Sequence, residues 1–378
     1  MTETEPAADV LLERAGAIAD ALPARIAGNN ARRDLDPLTI AELHEAGLFR
    51  LLKPRRYGGL AANPALFYDC QNALAEKDLS SAWVFGVLSI QAFVLSLFPQ
   101  QALDEVWGDD PAALASSSFA PAGTVEPVAG GYRLTGQWTY SSGSSFAQWA
   151  LVGGLIPPAG AGAPPQMRLF LVPRRDYAII PNWETFGLRG TGSNDLRIDG
   201  AFVPEHRTLQ PSPPLAMSTD PQREPIYRLP WLFMFASCVS NLAIGAGRGA
   251  VTAFATFRAG QPGGGDEAGR IALARVHGAV EAANLTLQHN IGQLWQAALG
   301  ERVLPDAVIL LYRSQLAELV RDIAAHVDCL MVLTGGRGMR DDGPLTRLWL
   351  DLMAARHHMG NIPDGPELAL AGSLISPG

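Results

Sequence analysis

The apolar positions change period twice along this chain. Val10, Leu11, Ala15, Ile18, Ala19, Leu22 and Ile26 are spaced for an amphipathic helix over 5–28. Asp36-Pro37 is a start signal and Gly47 a stop, which predicts a short helix over 37–46. Leu48 to Leu60 reads as an extended linker that ends in a turn. Asn63-Pro64 opens a helix to about Glu76, Asp78 caps an apolar helix from Leu79 to Phe98, and Pro99 begins a short one ending at Gly108. Residues 1–111 therefore read as an all-helical domain.

From Ala112 the period becomes two. Candidate strands are Ala115 to Phe119, Tyr132 to Ser141, Trp149 to Ile156, Met167 to Val172, Tyr177 to Pro181 and Leu196 to Val203. Gly/Pro/Ala turns separate them, including the loop from Pro157 to Pro165. These strands predict a compact antiparallel β domain over 112–212, able to close as a small barrel. After a Pro-rich linker at 208–224 the helical period returns, near 230–260, 266–299, 305–334, 345–361 and 364–375. Long antiparallel helices predict a four-helix bundle within 213–378. The expected fold class is α+β and multidomain: N-terminal helical domain, central β domain, C-terminal bundle.

Composition narrows this picture. At 378 residues, 48% hydrophobic and 17% charged, the chain suits several packed subdomains rather than disorder. A net charge of -8 argues against a nucleic-acid phosphate binder. Cys70, Cys238 and Cys329 are few and scattered, which suggests reduced thiols in a cytoplasm. The acidic N-terminus lacks the basic region of a secretory signal. Two charge-free runs, Leu79 to Leu103 and Leu229 to Gly247, are each about long enough to span a bilayer. Their Ser, Gln, Asn and Pro content and the lack of basic flanks read instead as central helices of a soluble bundle, with no membrane role.

Candidate chemistry is concentrated at a few places. In Trp183-Glu-Thr-Phe-Gly-Leu-Arg-Gly-Thr-Gly-Ser-Asn194, glycines allow sharp turns, Thr191 and Ser193 offer hydroxyls, and Arg189 a fixed charge. Ser116-Ser-Ser-Phe119 and Tyr140-Ser-Ser-Gly-Ser-Ser145 end strands in the same small, polar way. Each alone reads as a polar turn; together they resemble one wall of a cofactor cleft. Gly245-Ala-Gly247-Arg-Gly249 has the wrong spacing for a dinucleotide fingerprint and reads as close helix packing. No zinc-binding, thiol-pair or nucleophile-elbow spacing occurs, which points to an organic cofactor that carries the reaction. In the segment from Arg347 to Asn361, helical spacing puts His358, Asp351 and Asn361 on a similar face. His358 is either a proton-transfer group or a half-exposed residue near a helix C-terminus, and for His357 the second reading leads. Trp83 lies in the apolar helix opened by Asp78, as core or against a cofactor ring.

The α, β, α order resembles the acyl-CoA dehydrogenase superfamily. Particular phrases resemble its oxygen-using branch, the two-component flavin-dependent monooxygenases, nearest to the oxygenases that hydroxylate a phenolic seco-steroid or p-hydroxyphenylacetate. They are Leu51-Leu-Lys-Pro-Arg-Arg-Tyr-Gly-Gly-Leu60, Asn63-Pro-Ala-Leu-Phe67, Ser116-Ser-Ser-Phe-Ala-Pro121, Ser141-Ser-Gly143, Gly187-Leu-Arg-Gly-Thr-Gly-Ser-Asn194, Phe202-Val-Pro-Glu-His-Arg207, Pro225-Ile-Tyr-Arg-Leu-Pro-Trp231 and the segment from Arg347 to His358. They cover most of the chain in order.

The resemblance implies a homotetramer that takes reduced flavin (FMNH2 or FADH2) from a separate NAD(P)H-dependent reductase. It implies that O2 adds to the flavin, and that the resulting hydroperoxide passes one oxygen atom to an aromatic, phenolic or polycyclic substrate. By position, Trp83, Ser117, Ser118, Phe119, Ser141 and Ser142 would line the flavin, beside Arg189, Thr191 and Ser193 of the glycine-rich turn. Gly336 and Arg337 would reach it from the bundle of the same or a neighbouring subunit. His358 would be the active-site base or hydrogen-bond donor, with Ser142 its polar companion. Ser144-Ser145-Phe146 departs from the Cys-Asp-His of the seco-steroid enzymes, and Leu350 stands where a second Arg is usual. These departures admit a different aromatic, or N- or S-oxygenation. A dehydrogenase of the parent superfamily, or a non-catalytic scaffold, are the rival readings.

Overall fold

The computed structural model describes residues 6–158, 160, 164–261, 266–340 and 342–375. Met1–Glu5 and part of the Pro157–Pro165 loop lie outside them. The N-terminal domain contains α1 (Ala8–Ala21), α2 (Ile26–Arg32), α3 (Pro37–Glu45), α4 (Pro64–Ala75), α5 (Leu79–Leu95) and α6 (Gln100–Trp107). Local signals set most of these boundaries. Asp36 accepts from Leu38 N, Asn63 from Ala65 N and Asp78 from Ser81 N, so each caps the helix it precedes. Two expectations fail here. The first helix breaks in two at a 3-10 turn holding Pro23, whose ring cannot donate to the helical ladder. Leu48 to Leu60 is not extended but folds into two 3-10 turns, with Gly47 and Gly58 left-handed at φ 78° and 80°.

All residues of α5 are buried, so it is the axis of the molecule. It packs on α4 and on α7 (Trp231–Ser240), and touches the first strand of the β domain. Among the described residues no helix is long and apolar enough to cross a membrane.

The β domain holds two four-stranded sheets. One has the order β1 (Ala115–Ser118), β4 (Trp149–Ile156), β5 (Gln166–Pro173), β8 (Thr208–Leu209). The other has β2 (Thr124–Val128), β3 (Gly131–Ser141), β7 (Asn194–Pro204), β6 (Ala178–Ile180) in the order β2-β3-β7-β6. A separate core that includes Leu134, Trp138, Val152, Phe170 and Ile198 lies between them. The alternate residues Leu151, Leu169 and Leu171 face the other way and join the main helical core. One sheet is thus buried on both faces and ties the β domain to the helices. The expected purely antiparallel domain needs one correction: β1 pairs with β4 in parallel, because the chain passes through the other sheet between them. β2 and β8 were not expected. β2 carries Pro127, which an edge strand tolerates and which hides its period.

The C-terminal helices are α7, α8 (Leu242–Ala259), α9 (Glu267–Leu299), α10 (Asp306–Thr334), α11 (Pro344–Ala355) and α12 (Asp364–Ile375). A Cβ at Gly245 would meet Asn72 O at 2.4 Å, and one at Gly249 would meet Glu76 O at 2.2 Å. The glycine cluster therefore serves close packing of α8 on α4, as its spacing suggests. The helix expected over 345–361 stops at Ala355. His358 instead caps a 3-10 turn, Met359–Asn361, by accepting from Gly360 N. Its side chain competes with the helical ladder for that N–H, so the single helical face expected for Asp351, His358 and Asn361 does not exist.

Candidate active site

Three segments distant in sequence converge beside the middle of the molecule: the first turns of α5, the end of β3 with the 187–194 turn, and the chain after α11. Their contact is a chain of hydroxyls. Trp83 Nε1 donates to Ser142 Oγ at 3.1 Å, Ser142 Oγ lies 2.6 Å from Ser193 Oγ, and Ser193 Oγ lies 2.6 Å from Thr191 Oγ1. Thr191 Oγ1 donates to Leu188 O at 2.9 Å.

Each hydroxyl has one proton, so the direction of the whole chain follows from its end. Thr191 spends its proton on Leu188, so Ser193 must donate to Thr191, and Ser142 to Ser193. Ser142 Oγ then accepts from Trp83 and retains one lone pair. The capacity left to it is that of an acceptor.

His358 supplies the opposite function. Its ring stands edge-on to Trp83 at a centroid distance of 5.4 Å, and 6.2 Å from Phe235. Phe119 lies 4.8 Å from Phe235 and 6.5 Å from Trp231, which continues the aromatic row. Burial, with the charge of Arg313 adding to it, pushes the imidazole down to about 4, so the ring is neutral at pH 7. Gly360 N donates to Nδ1 at 3.0 Å, which leaves the single ring proton on Nε2. Of the two roles open to His358, this geometry suits hydrogen-bond donation, because its acceptor nitrogen is already occupied.

The backbone beneath the hydroxyl chain is clamped. Leu188 is left-handed at φ 52°, an uncommon state for a branched residue. Its N–H donates to Asp351 Oδ1 at 2.6 Å, and its carbonyl also accepts from Trp183 Nε1 at 2.8 Å. A Cβ at Gly187 would lie 2.2 Å from Leu350 O, so only glycine lets this turn lie on α11. Burial, and then the neighbouring Asp78, raise the Asp351 carboxyl to about 7.

The other expected site residues divide. Phe119 is in the aromatic row, and Ser117 Oγ accepts from Gln91 Nε2 at 2.9 Å while keeping its own proton. Ser118 has given its proton to Thr139 O at 2.7 Å. Ser141 is fully buried and bonded to Ser116 Oγ at 3.0 Å, so it ties strands together and does not join the hydroxyl chain. Arg189 lies next to the clamp, part-buried, with its Nε unpartnered. Gly336 and Arg337 are exposed beyond the far end of α10, where Arg337 Nη1 donates to Gln261 Oε1 at 2.7 Å. Arg313, close to His358, is near the start of that helix, so about 30 Å separates the two ends. Within one chain they do not join the cluster. His357 is exposed and outside it. Phe235 and Arg313 were missed. Phe235 sits among seven other apolar residues of α7 and gives no local signal.

Comparison with known proteins shows the family of the chain. Residues 237–363 match the family described as acyl-CoA dehydrogenase, C-terminal domain. The chain is 32% identical over 364 residues to the flavin-dependent monooxygenase oxygenase subunit HsaA of Rhodococcus jostii, covering 93% of this chain and 95% of that one. This chain belongs to the flavin-dependent monooxygenase oxygenase subunits. It is also 32% identical over 385 residues to the FADH(2)-dependent resorcinol hydroxylase oxygenase component of a Rhizobium species, covering 97% and 94% of the two. The crystal structure of the HsaA monooxygenase from M. tuberculosis superposes with a TM-score of 0.91 at 30% identity over 98% of both chains. The family's acyl-CoA dehydrogenase fold is therefore the fold of this chain, and the flavin-dependent monooxygenase reading made on the sequence phrases holds.

Proposed function

We propose that the cleft between Trp83, Ser142, Phe119, Phe235 and His358 binds reduced flavin and an electron-rich aromatic substrate, and that this oxygenase inserts one oxygen atom of O2 into that substrate. The observation that carries the proposal is the polarity of the hydroxyl chain, which ends in an acceptor at Ser142. A reduced isoalloxazine ring carries N–H groups where the oxidised ring has bare nitrogens, so an acceptor suits the reduced form. Ser117, with a free proton, adds a donor for a flavin carbonyl or ribityl oxygen. Bound there, the flavin supplies the electrons that activate O2. Trp83, Phe119 and Phe235 exclude water and offer faces for planar rings. His358 donates from Nε2 to an oxygen atom in the cleft, stabilising charge as it develops there.

A phenol or polycyclic arene is the substrate we favour, with N- or S-oxygenation as the alternative that product analysis would reveal. A dehydrogenase would need a carboxylate over the substrate. Glu318 and Glu367 instead lie together on α10 and α12, paired with Arg321 at the surface.

Three further features belong to the proposal. The glycine cluster of α8 is spent on packing, which supports delivery of reduced flavin by a separate NAD(P)H-dependent reductase. The groove of about 380 Å³ between α9 and α10, with Leu287, Leu316, Leu319 and Ile323 on its walls, supports assembly as a homotetramer. In that assembly Gly336 and Arg337 would complete a neighbour's flavin site. Cys70, Cys238 and Cys329 are unpaired, in keeping with the cytoplasm.

The test is stopped-flow absorbance. Photoreduced flavin is mixed with the protein without oxygen, then with oxygenated buffer. A long-lived spectrum distinct from both reduced and oxidised flavin is expected. Reoxidation at the protein-free rate would overturn the proposal.

A further inference from the structure

We propose that Arg313 is a positioning residue: through the Gly360 peptide it holds His358 as the Nε2–H tautomer, with the donor on the ring edge away from Gly360. Arg313 is 8% exposed in α10, yet among the described residues no carboxylate pairs with it. Its Nη2 donates to Gly360 O at 2.9 Å and its Nη1 has no partner. A buried guanidinium without a counter-charge is costly, and an aliphatic side chain would fill the same space without that cost. The neighbours on α10, Ile309, Leu316 and Ala317, are apolar. The position therefore calls for a reason beyond packing.

The geometry supplies one. Gly360 accepts from Arg313 with its carbonyl and donates to His358 Nδ1 with its N–H. The guanidinium thus pins the residue that pins the imidazole. A Cβ on Gly360 would lie 2.9 Å from Val239 Cγ2, so the turn has no room to shift toward α7. Arg313 also acts on the ring by charge. Neither α5 nor α7 carries an ionisable acid or base other than Cys238, Asp78 lies at the cap of α5, and Asp351 grips the Leu188 turn instead. Arg313 is the charge that bears on His358, and it opposes protonation. The same side chain fixes the tautomer and adds to the burial that keeps the ring neutral.

The inference rests on the flavin reading only for its catalytic meaning, and its test uses the protein without flavin. The imidazole nitrogens of 15N-histidine-labelled protein are read by long-range 1H–15N correlation across pH. The native protein should show His358 as Nε2–H, without titration from pH 8 to pH 5. Arg313→Gln keeps an amide donor and drops the charge; its His358 midpoint should rise by about 1 pH unit. Arg313→Met drops both, and an Nδ1–H population should appear as well. Arg313→Lys should restore the native midpoint. An Nδ1–H ring in the native protein would overturn the proposal even if no variant folded. So would a folded Arg313→Met protein with the native tautomer and midpoint. Failure to bind reduced flavin, measured separately, would remove the functional reading and leave this one standing.

Discussion

Two ionisable side chains, the half-buried Asp351 and the buried Arg313, support the site in parallel ways. Asp351 of α11 holds the N–H of Leu188, and Leu188 anchors the hydroxyl chain that ends in an acceptor at Ser142. Arg313 of α10 holds the carbonyl of Gly360, and Gly360 fixes the imidazole whose free edge is a donor. Burial opposes either sign of charge, so the carboxyl is raised to about 7 and the guanidinium lowered to about 10. The lesson is that neither charge is spent on an ion pair. Each is spent on a backbone group two residues or a short hydroxyl chain away from the side chain it positions.

Breaking the donor side should have the largest effect. His358→Ala removes the one donor proposed to face developing negative charge. Substrate oxygenation should fall by about 100-fold, with reduced-flavin affinity nearly unchanged. Product yield per flavin oxidised measures this, and native yield in the variant would end the role given to His358.

The acceptor side should fail differently. Ser142→Ala strands the buried Trp83 Nε1 and removes one of the two partners of the Ser193 hydroxyl. Reduced-flavin affinity should drop about tenfold, in line with the cost of a lost buried hydrogen bond. Oxidised flavin should be affected less. Equal losses for both redox forms, measured by titration under nitrogen, would mean that the chain does not discriminate between them.

A third experiment addresses Asp351 itself. Its folded-state value of about 7 stands above the unfolded value near 3.8, so the native state binds the extra proton between them. That contribution is full below about pH 4 and is lost as pH rises through 7. Asp351→Asn should flatten this dependence and exceed the native protein in stability at pH 8 by on the order of 1 kcal/mol. Thermal melts at pH 5 and pH 8 decide it, and identical pH profiles would show that Asp351 is not the titrating group.

The smallest effect is expected at Arg337. It is exposed and bonded to Gln261, so Arg337→Ala should change stability by no more than about 0.5 kcal/mol. A loss of flavin affinity that appears only in the assembled oligomer would support a contribution across subunits. A loss in a dissociated chain would contradict the roughly 30 Å that α10 puts between Arg337 and His358.

Sequence by itself determined what depends on neighbours a few residues apart. The caps at Asp36, Asn63 and Asp78 and the change of period at Ala112 all act within one turn or one strand. Ser117, Phe119, Ser142, Thr191, Ser193 and His358 could be named because they lie in motif phrases of a known family, and Trp83 because it lies in the apolar helix that Asp78 caps. Tertiary structure decided what depends on partners far apart. Leu188 and Asp351 are 163 residues apart, Arg313 and Gly360 are 47 apart, and Ser141 meets Ser116 across 25. The serines of one phrase look alike in sequence, yet Ser141 bonds Ser116 while Ser142, in the turn that follows β3, bonds Trp83 and Ser193. The end of α11 was equally hidden. Helical period continues to Asn361, but α11 stops at Ala355, and the 3-10 turn that His358 then caps makes it a fixed donor.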